Sequence, residues 1–242
     1  MQQIQLELEG GGTLTVCLRA SLDAMPTVKQ RPLVLVVPGG GYSHVSPREG
    51  DPVALQFAAA GYHTAVLTYS VGEEARDYRP LRQLSEALGL LRQHAEEWHI
   101  LPDKIAVCGF SAGGHLALSG AVLDIPGEMA QQRPDAVILG YPVITAGEYA
   151  HRGSFVQLAG SEDAAAQRAF GLEDKTVPVE NTLLLLSALR RAGVACEAHL
   201  FEQGVHGTSI STAEVDAADR HRARWVTLCL EWLGRTFGFD LR

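Results

Sequence analysis

Hydrophobic and polar residues alternate over Ile4-Gln5-Leu6-Glu7-Leu8 and again, beyond Gly10-Gly11-Gly12, over Thr13 to Ala20. A period of two predicts a half-buried hairpin, here an antiparallel edge. The pattern then changes to a continuous apolar run, Leu33 to Val37, ended by Pro38-Gly39-Gly40-Gly41. Such a run suits a strand buried on both faces and marks the start of the sheet core. From there strand and helix patterns alternate. The sequence predicts a helix from about Asp51 to Ala60, a strand over His63–Tyr69 and an amphipathic helix from about Leu81 to His99. A strand over Lys104–Cys108, a small-residue helix to about Leu123 and a strand over Ala136–Tyr141 follow. Near the end, Asn181–Ala192 reads as a helix stopped by Gly193, Ala195–Phe201 as a strand and Asp216–Leu233 as a closing helix. The order implies an α/β fold: a mostly parallel central sheet with helices on both faces and an antiparallel N-terminal edge. No repeat, low-complexity tract or linker divides the chain, so one domain over 1–242, without a cap domain, is expected.

Composition supports a folded core and excludes some partners. Apolar residues make up 46% of the 242 and charged residues 20%, as in ordinary globular domains. Twenty basic against 28 acidic residues give a net charge of −8, with the basic residues scattered, so neither nucleic acid nor an anionic membrane is an expected partner. The longest apolar run is far too short to span a bilayer, and the first residues lack the layout of a signal peptide, which predicts a cytoplasmic protein. Cys17, Cys108, Cys196 and Cys229 stand far apart with no C-x-x-C pair; they read as reduced packing residues, with no metal site or redox motif.

The sharpest chemical signal is Gly109-Phe110-Ser111-Ala112-Gly113 between a predicted buried strand and a predicted helix. A G-x-S-x-G placed there makes a tight turn that lifts the serine hydroxyl above the sheet, and the following helix start offers N–H groups to developing negative charge. A plain serine helix cap flanked by glycines is the structural alternative. Gly39-Gly40-Gly41, after the first buried strand, can bring backbone N–H groups close to an oxyanion, so Gly40, Gly41 and Ala112 are the candidate oxyanion-hole donors. A phosphate-cradling loop is the rival, but neither G-K-[ST] nor G-x-G-x-x-G is present. Where such a turn carries a nucleophile, acid and then histidine follow it along the chain. That order selects His206, on Gly204-Val205-His206-Gly207 just after the last predicted strand. His115 beside the turn reads as a packing residue, His199 lies within a predicted strand, and His44, His63, His94, His99, His151 and His221 read as surface or filler positions. For the acid, Asp174 ahead of a helix and Asp163 both lie between Ser111 and His206; a helix cap is the alternative role for Asp174.

With these residues in view, the chain resembles the acetyl-xylan-esterase-like branch of the α/β hydrolases, which includes acetyl and feruloyl esterases acting on plant polysaccharide side groups. The stretches that carry it are VVPGGGYSHVSPREGDPVALQFAAAGYHTAVLTYSV, DKIAVCGFSAGGHLA, EDKTVPVENTLLLLSALRRAGV and EAHLFEQGVHG. Pro38 stands where related lipases and esterases have the histidine of H-G-G-G, as is usual in this branch. The resemblance implies the α/β-hydrolase fold, Ser111 as nucleophile, Asp174 as acid and His206 as base. It also suggests that Arg48 and Glu49 lie near the site, with an ion pair as the alternative. One departure stands out. The family places a proline-bearing turn and an apolar strand before the acid, whereas Ala164–Glu173 reads here as helix, so one internal strand is expected to be missing unless Phe155–Ala159 fills the gap.

The resulting expectation is a serine carboxylesterase for small acyl, acetyl-type esters, with a small-molecule or carbohydrate ester as substrate and no metal or organic cofactor. A peptidase or thioesterase on the same fold, or an inactivated scaffold, are the alternatives. The alcohol part of the substrate and homo-oligomerisation stay open.

Overall fold

A computed structural model of the chain describes residues 1–20, 27–125, 130–159 and 176–241. Its sheet runs in the order β1-β2-β4-β3-β5-β6. β1 (Gln2–Glu7) and β2 (Thr13–Leu18) form the expected hairpin, and β2 also pairs antiparallel with β4 (His63–Thr68). β3 (Arg31–Val37) lies parallel between β4 and β5 (Ile100–Phe110), and β5 pairs parallel with β6 (Ala136–Gly140). The architecture is therefore a mixed, largely parallel sheet with an antiparallel edge and flanking helices, the topology of the α/β-hydrolase fold.

β3 explains its own continuous hydrophobicity. Leu33, Leu35 and Val37 pack on one face with Leu84, Leu88, Leu91 and Leu116 from α2 (Arg79–Gln93) and α3 (Ala112–Val122). Val34 and Val36 face the other way, onto Val53 and Phe57 of α1 (Asp51–Ala59) and Leu233 and Phe237 of the C-terminal helix. Successive side chains of a strand point to opposite faces, and here both are covered by helices, so neither can be polar.

Several boundaries and one strand differ from expectation. α2 ends at Gln93, not near His99: His99 adopts φ +55° and the amide of Ile100 closes onto Ala95 O. The C-terminal helix begins only at Arg224; Asp219 Oδ1 takes the amides of His221 (2.8 Å) and Arg222 (3.0 Å) and holds the preceding residues in turns. Phe155–Ala159 does not fill a gap in the sheet, because it belongs to a helix, α4 (Arg152–Ala159). The predicted helix 181–192 is α5 (Glu180–Ala192), and the closing helix is α6 (Arg224–Phe237). The predicted strand Ala195–Phe201 is not a strand. It joins no ladder among the described residues, and residues 195–200 are exposed. Alternation alone does not make a strand; its backbone groups need a neighbour, and β6 is the last strand of the sheet among the described residues. The helix expected over Ala164–Glu173, and with it the missing internal strand, falls outside the described residues. Among the described residues no helix is long and apolar enough to cross a membrane.

Candidate active site

The carboxyl ends of β3, β5 and β6 lie side by side, and the candidate residues gather there, where open α/β sheets place their sites. β5 ends at Phe110 and α3 starts at Ala112, so the chain reverses at Ser111 alone, with φ +52° and ψ −118°. Such a conformation for a non-glycine residue costs about 1–3 kcal/mol. Three hydrogen bonds fix it: Ser111 N–H donates to Gly140 O (3.0 Å), and Ser111 O accepts from the amides of His115 and Val143 (both 3.1 Å). The flanking glycines are required by close approach. A Cβ at Gly109 would lie 2.3 Å from Gly113 O, and one at Gly113 would lie 2.1 Å from Val37 O. The start of α3 thus presses directly onto the end of β3.

The glycine loop after β3 curls back on itself. Gly40 has φ +124° and its carbonyl accepts the amides of Ser43 (3.0 Å) and His44 (3.3 Å), so a Cβ there would meet His44 O at 2.1 Å. The loop rests on the Ser111 turn, since a Cβ at Gly39 would lie 2.9 Å from Ser111 Cβ. Neither Gly40 N–H nor Gly41 N–H donates a hydrogen bond among the described residues. Ala112 opens α3, where an N–H has no intrahelical acceptor. Beyond Gly41 stands His151, whose Nδ1 lies 2.8 Å from Ser154 Oγ; a Cβ at Gly41 would be 3.6 Å from its Cε1.

His206 comes from the far side of the sequence, and its Nε2 lies 2.7 Å from Ser111 Oγ. Its loop is held by specific contacts. The Tyr141 ring meets the imidazole edge-on at 4.9 Å between centroids. The Ser209 amide donates to Tyr141 Oη (2.9 Å), the Ser209 hydroxyl donates to Arg48 O (2.5 Å), and Trp225 Nε1 donates to Ser209 O (3.0 Å). Arg48 Nη1 reaches Gly207 O at 3.5 Å. Arg48 and Glu49 therefore both stand at the site, and they do not pair with each other. Glu49 instead accepts the Gly39 amide (2.8 Å) and the Tyr141 hydroxyl (2.7 Å).

His115 takes the packing position expected of it. Its Nδ1 is 2.9 Å from the Tyr42 hydroxyl, Phe155 lies edge-on to its ring, and burial pushes its pKa down to about 4. Asp174 and Asp163 lie outside the described residues. Among the described residues no cluster of His, Cys, Asp and Glu could hold a metal ion. Sequence reasoning did not single out Tyr42 or Tyr141. The signal for Tyr141 is its place directly after β6, the neighbour of the strand that carries Ser111.

Comparison with known proteins identifies the family. A family model described as BD-FAE matches residues 23–133. The crystal structure of MGS-M1, an alpha/beta hydrolase enzyme from a Medee basin deep-sea metagenome library, is 32% identical, with 98% of this chain and 99% of that chain covered and a TM-score of 0.81. An acetyl ester-xyloside bifunctional hydrolase from Caldicellulosiruptor lactoaceticus is also 32% identical, covering 95% of this chain and 89% of that one, with a TM-score of 0.79. The acetylxylan esterase of Xylanibacter ruminicola is 29% identical over 74% of this chain. The curated relatives are much longer, and the chain spans only 27% to 41% of their lengths. The chain belongs to the α/β-hydrolase-fold esterases related to the BD-FAE and acetylxylan-esterase-like enzymes.

Proposed function

We propose that the protein is a serine carboxylesterase that hydrolyses small acyl esters, acetyl above all, including esters carried on carbohydrate. The observation that carries this reading is the 2.7 Å approach of His206 Nε2 to Ser111 Oγ at the tip of a strained strand-to-helix turn. Ser111 Oγ attacks the ester carbonyl as its proton passes to His206 Nε2. The carbonyl oxygen, now negative, is taken by the amides of Gly40, Gly41 and Ala112. Collapse expels the alcohol, which receives the proton from His206, and leaves an acyl-Ser111 ester. Water then attacks the acyl group, giving its proton to His206, and Ser111 departs with that proton restored. Asp174 is assigned as the acid that orients the imidazole. The acetyl preference is supported by the absence of any cap-sized insertion in the sequence and by the acetyl esters named for two relatives.

The test is turnover of p-nitrophenyl acetate, butyrate and octanoate beside thioester and peptide substrates. Acetate is expected fastest and octanoate poor, and Ser111→Ala should lower the rate roughly ten-thousandfold or more in a folded protein. Unchanged turnover in Ser111→Ala overturns the nucleophile, and a maximum at octanoate overturns the acyl preference.

A further inference from the structure

We propose that Glu49 is a positioning residue of this site: one buried carboxylate ties the oxyanion loop to the loop that carries His206. The inference rests on the nucleophile and base assigned above. Glu49 ends a short 3-10 turn, Pro47–Glu49, and is 3% exposed. A carboxylate so deeply buried is tolerated only when donors compensate its lost hydration. One donor comes from the oxyanion loop, and the other is Tyr141, directly after β6, which in turn holds the His206 loop. Oε2 accepts Gly39 N–H at 2.8 Å, where Gly39 abuts Ser111, and Oε1 accepts the Tyr141 hydroxyl at 2.7 Å. Tyr141 Oη in turn accepts the Ser209 amide at 2.9 Å, and its ring lies against His206.

The chain of bonds therefore runs Gly39, Glu49, Tyr141, Ser209. It links the two segments whose spacing decides whether the hydroxyl, the base and the oxyanion donors act on one carbonyl. Tyr141 (φ +37°) and Ser209 (φ +47°) both sit in the left-handed region that non-glycine residues rarely adopt, so this link is held against backbone cost. Burial first, and then the neighbouring carboxylate, raise the Tyr141 pKa well above the usual phenol range, so the hydroxyl remains a donor across the working pH. The 3-10 turn closes the circuit, because Arg48 O accepts the Ser209 hydroxyl. An acid retained only to satisfy local polar groups would bond to its own turn; this one reaches 10 and 92 residues along the chain.

Misplacement of reacting groups by fractions of an ångström lowers the rate of the chemical step while leaving substrate binding nearly intact. Tyr141→Phe removes one hydroxyl and keeps the ring on His206. It should lower kcat about tenfold with KM within about twofold of wild type. Glu49→Gln, of equal size, should lower kcat at least as much, since its amide nitrogen must face one of two donors. The double variant should be no slower than Glu49→Gln alone, because both changes break one chain. A fluorophosphonate titration of Ser111 keeps the two readings apart. Absence of labelling in the wild type means that the nucleophile assignment has failed. Full labelling with wild-type kcat in Tyr141→Phe, or additive losses in the double variant, overturns the positioning role. Should Glu49→Gln not fold, the kcat and KM of Tyr141→Phe decide the question.

Discussion

Strand β3 and the segment 195–201 are equally long, yet every residue of β3 is buried, whereas 195–200 is exposed throughout. β3 has a strand on each side and helices on both faces; 195–201 joins no ladder among the described residues. The two segments lead into the two halves of the candidate site. β3 runs into the glycine loop beside Ser111, whereas 195–201 runs into the loop of His206, on which Val205 is 76% exposed. Among the described residues, the Ser111 side is thus set by core packing, and the His206 side by directed contacts from Tyr141, Arg48 and Trp225. Substitutions in the first region should act on folding, and in the second on catalysis.

The largest effect on the packed side is expected at Gly113. A Cβ there meets Val37 O at 2.1 Å and Pro38 O at 2.3 Å, backbone atoms that cannot turn aside. Gly113→Ala should cost more than about 3 kcal/mol and leave little folded protein, as seen by urea denaturation followed by circular dichroism. Leu35→Ala, at a fully buried position of β3, should cost about 2–5 kcal/mol in the same experiment. A loss below about 1 kcal/mol there would break the contrast.

A smaller, pH-dependent effect separates the same regions. His63 is buried, its Nδ1 accepts the Arg19 amide (3.0 Å), and its Nε2 lies 3.2 Å from His99 O, a pairing that suits the neutral ring. Burial, with Arg31 and Arg19 nearby, lowers its pKa from 6.5 to about 4, and His115 is lowered to about 4 by burial. Below about 6.5 the unfolded chain takes up protons that the native state refuses, so this stability is complete above pH 6.5 and is lost as pH falls towards 4. A depression of this size corresponds to roughly 3 kcal/mol per histidine at most. Urea midpoints between pH 7.5 and 4.5 should fall, and His63→Gln should flatten the slope; an unchanged slope would contradict the assignment. Smallest of all should be Leu200→Ala, at a residue 55% exposed, which should stay within about 0.5 kcal/mol of wild type.

The same contrast explains what the sequence could reveal. The β3 run, the alternating hairpin and the Gly109–Gly113 turn are read correctly because their signals are local and agree with their surroundings. Chain order and the glycine-flanked loop, both sequence properties, single out His206, and the structure brings its ring to Ser111. Ala195–Phe201 alternates like a strand but finds no partner strand among the described residues. His63 reads as surface or filler, whereas its ring is buried and bonded to Arg19 and His99, 44 and 36 residues away. Tyr141 escapes for the same reason, since its partner Glu49 lies 92 residues away along the chain, and Glu49 itself is reached only through the family resemblance.

The central claim is that Ser111 is a nucleophile activated by His206. It is tested most directly by treating the protein with diethyl p-nitrophenyl phosphate and locating the adduct by peptide mass spectrometry. One diethylphosphoryl group per chain on Ser111 is expected, with none in Ser111→Ala and labelling slowed at least a hundredfold or so in His206→Gln. An adduct on another residue, or equal labelling rates in wild type and His206→Gln, would contradict the account.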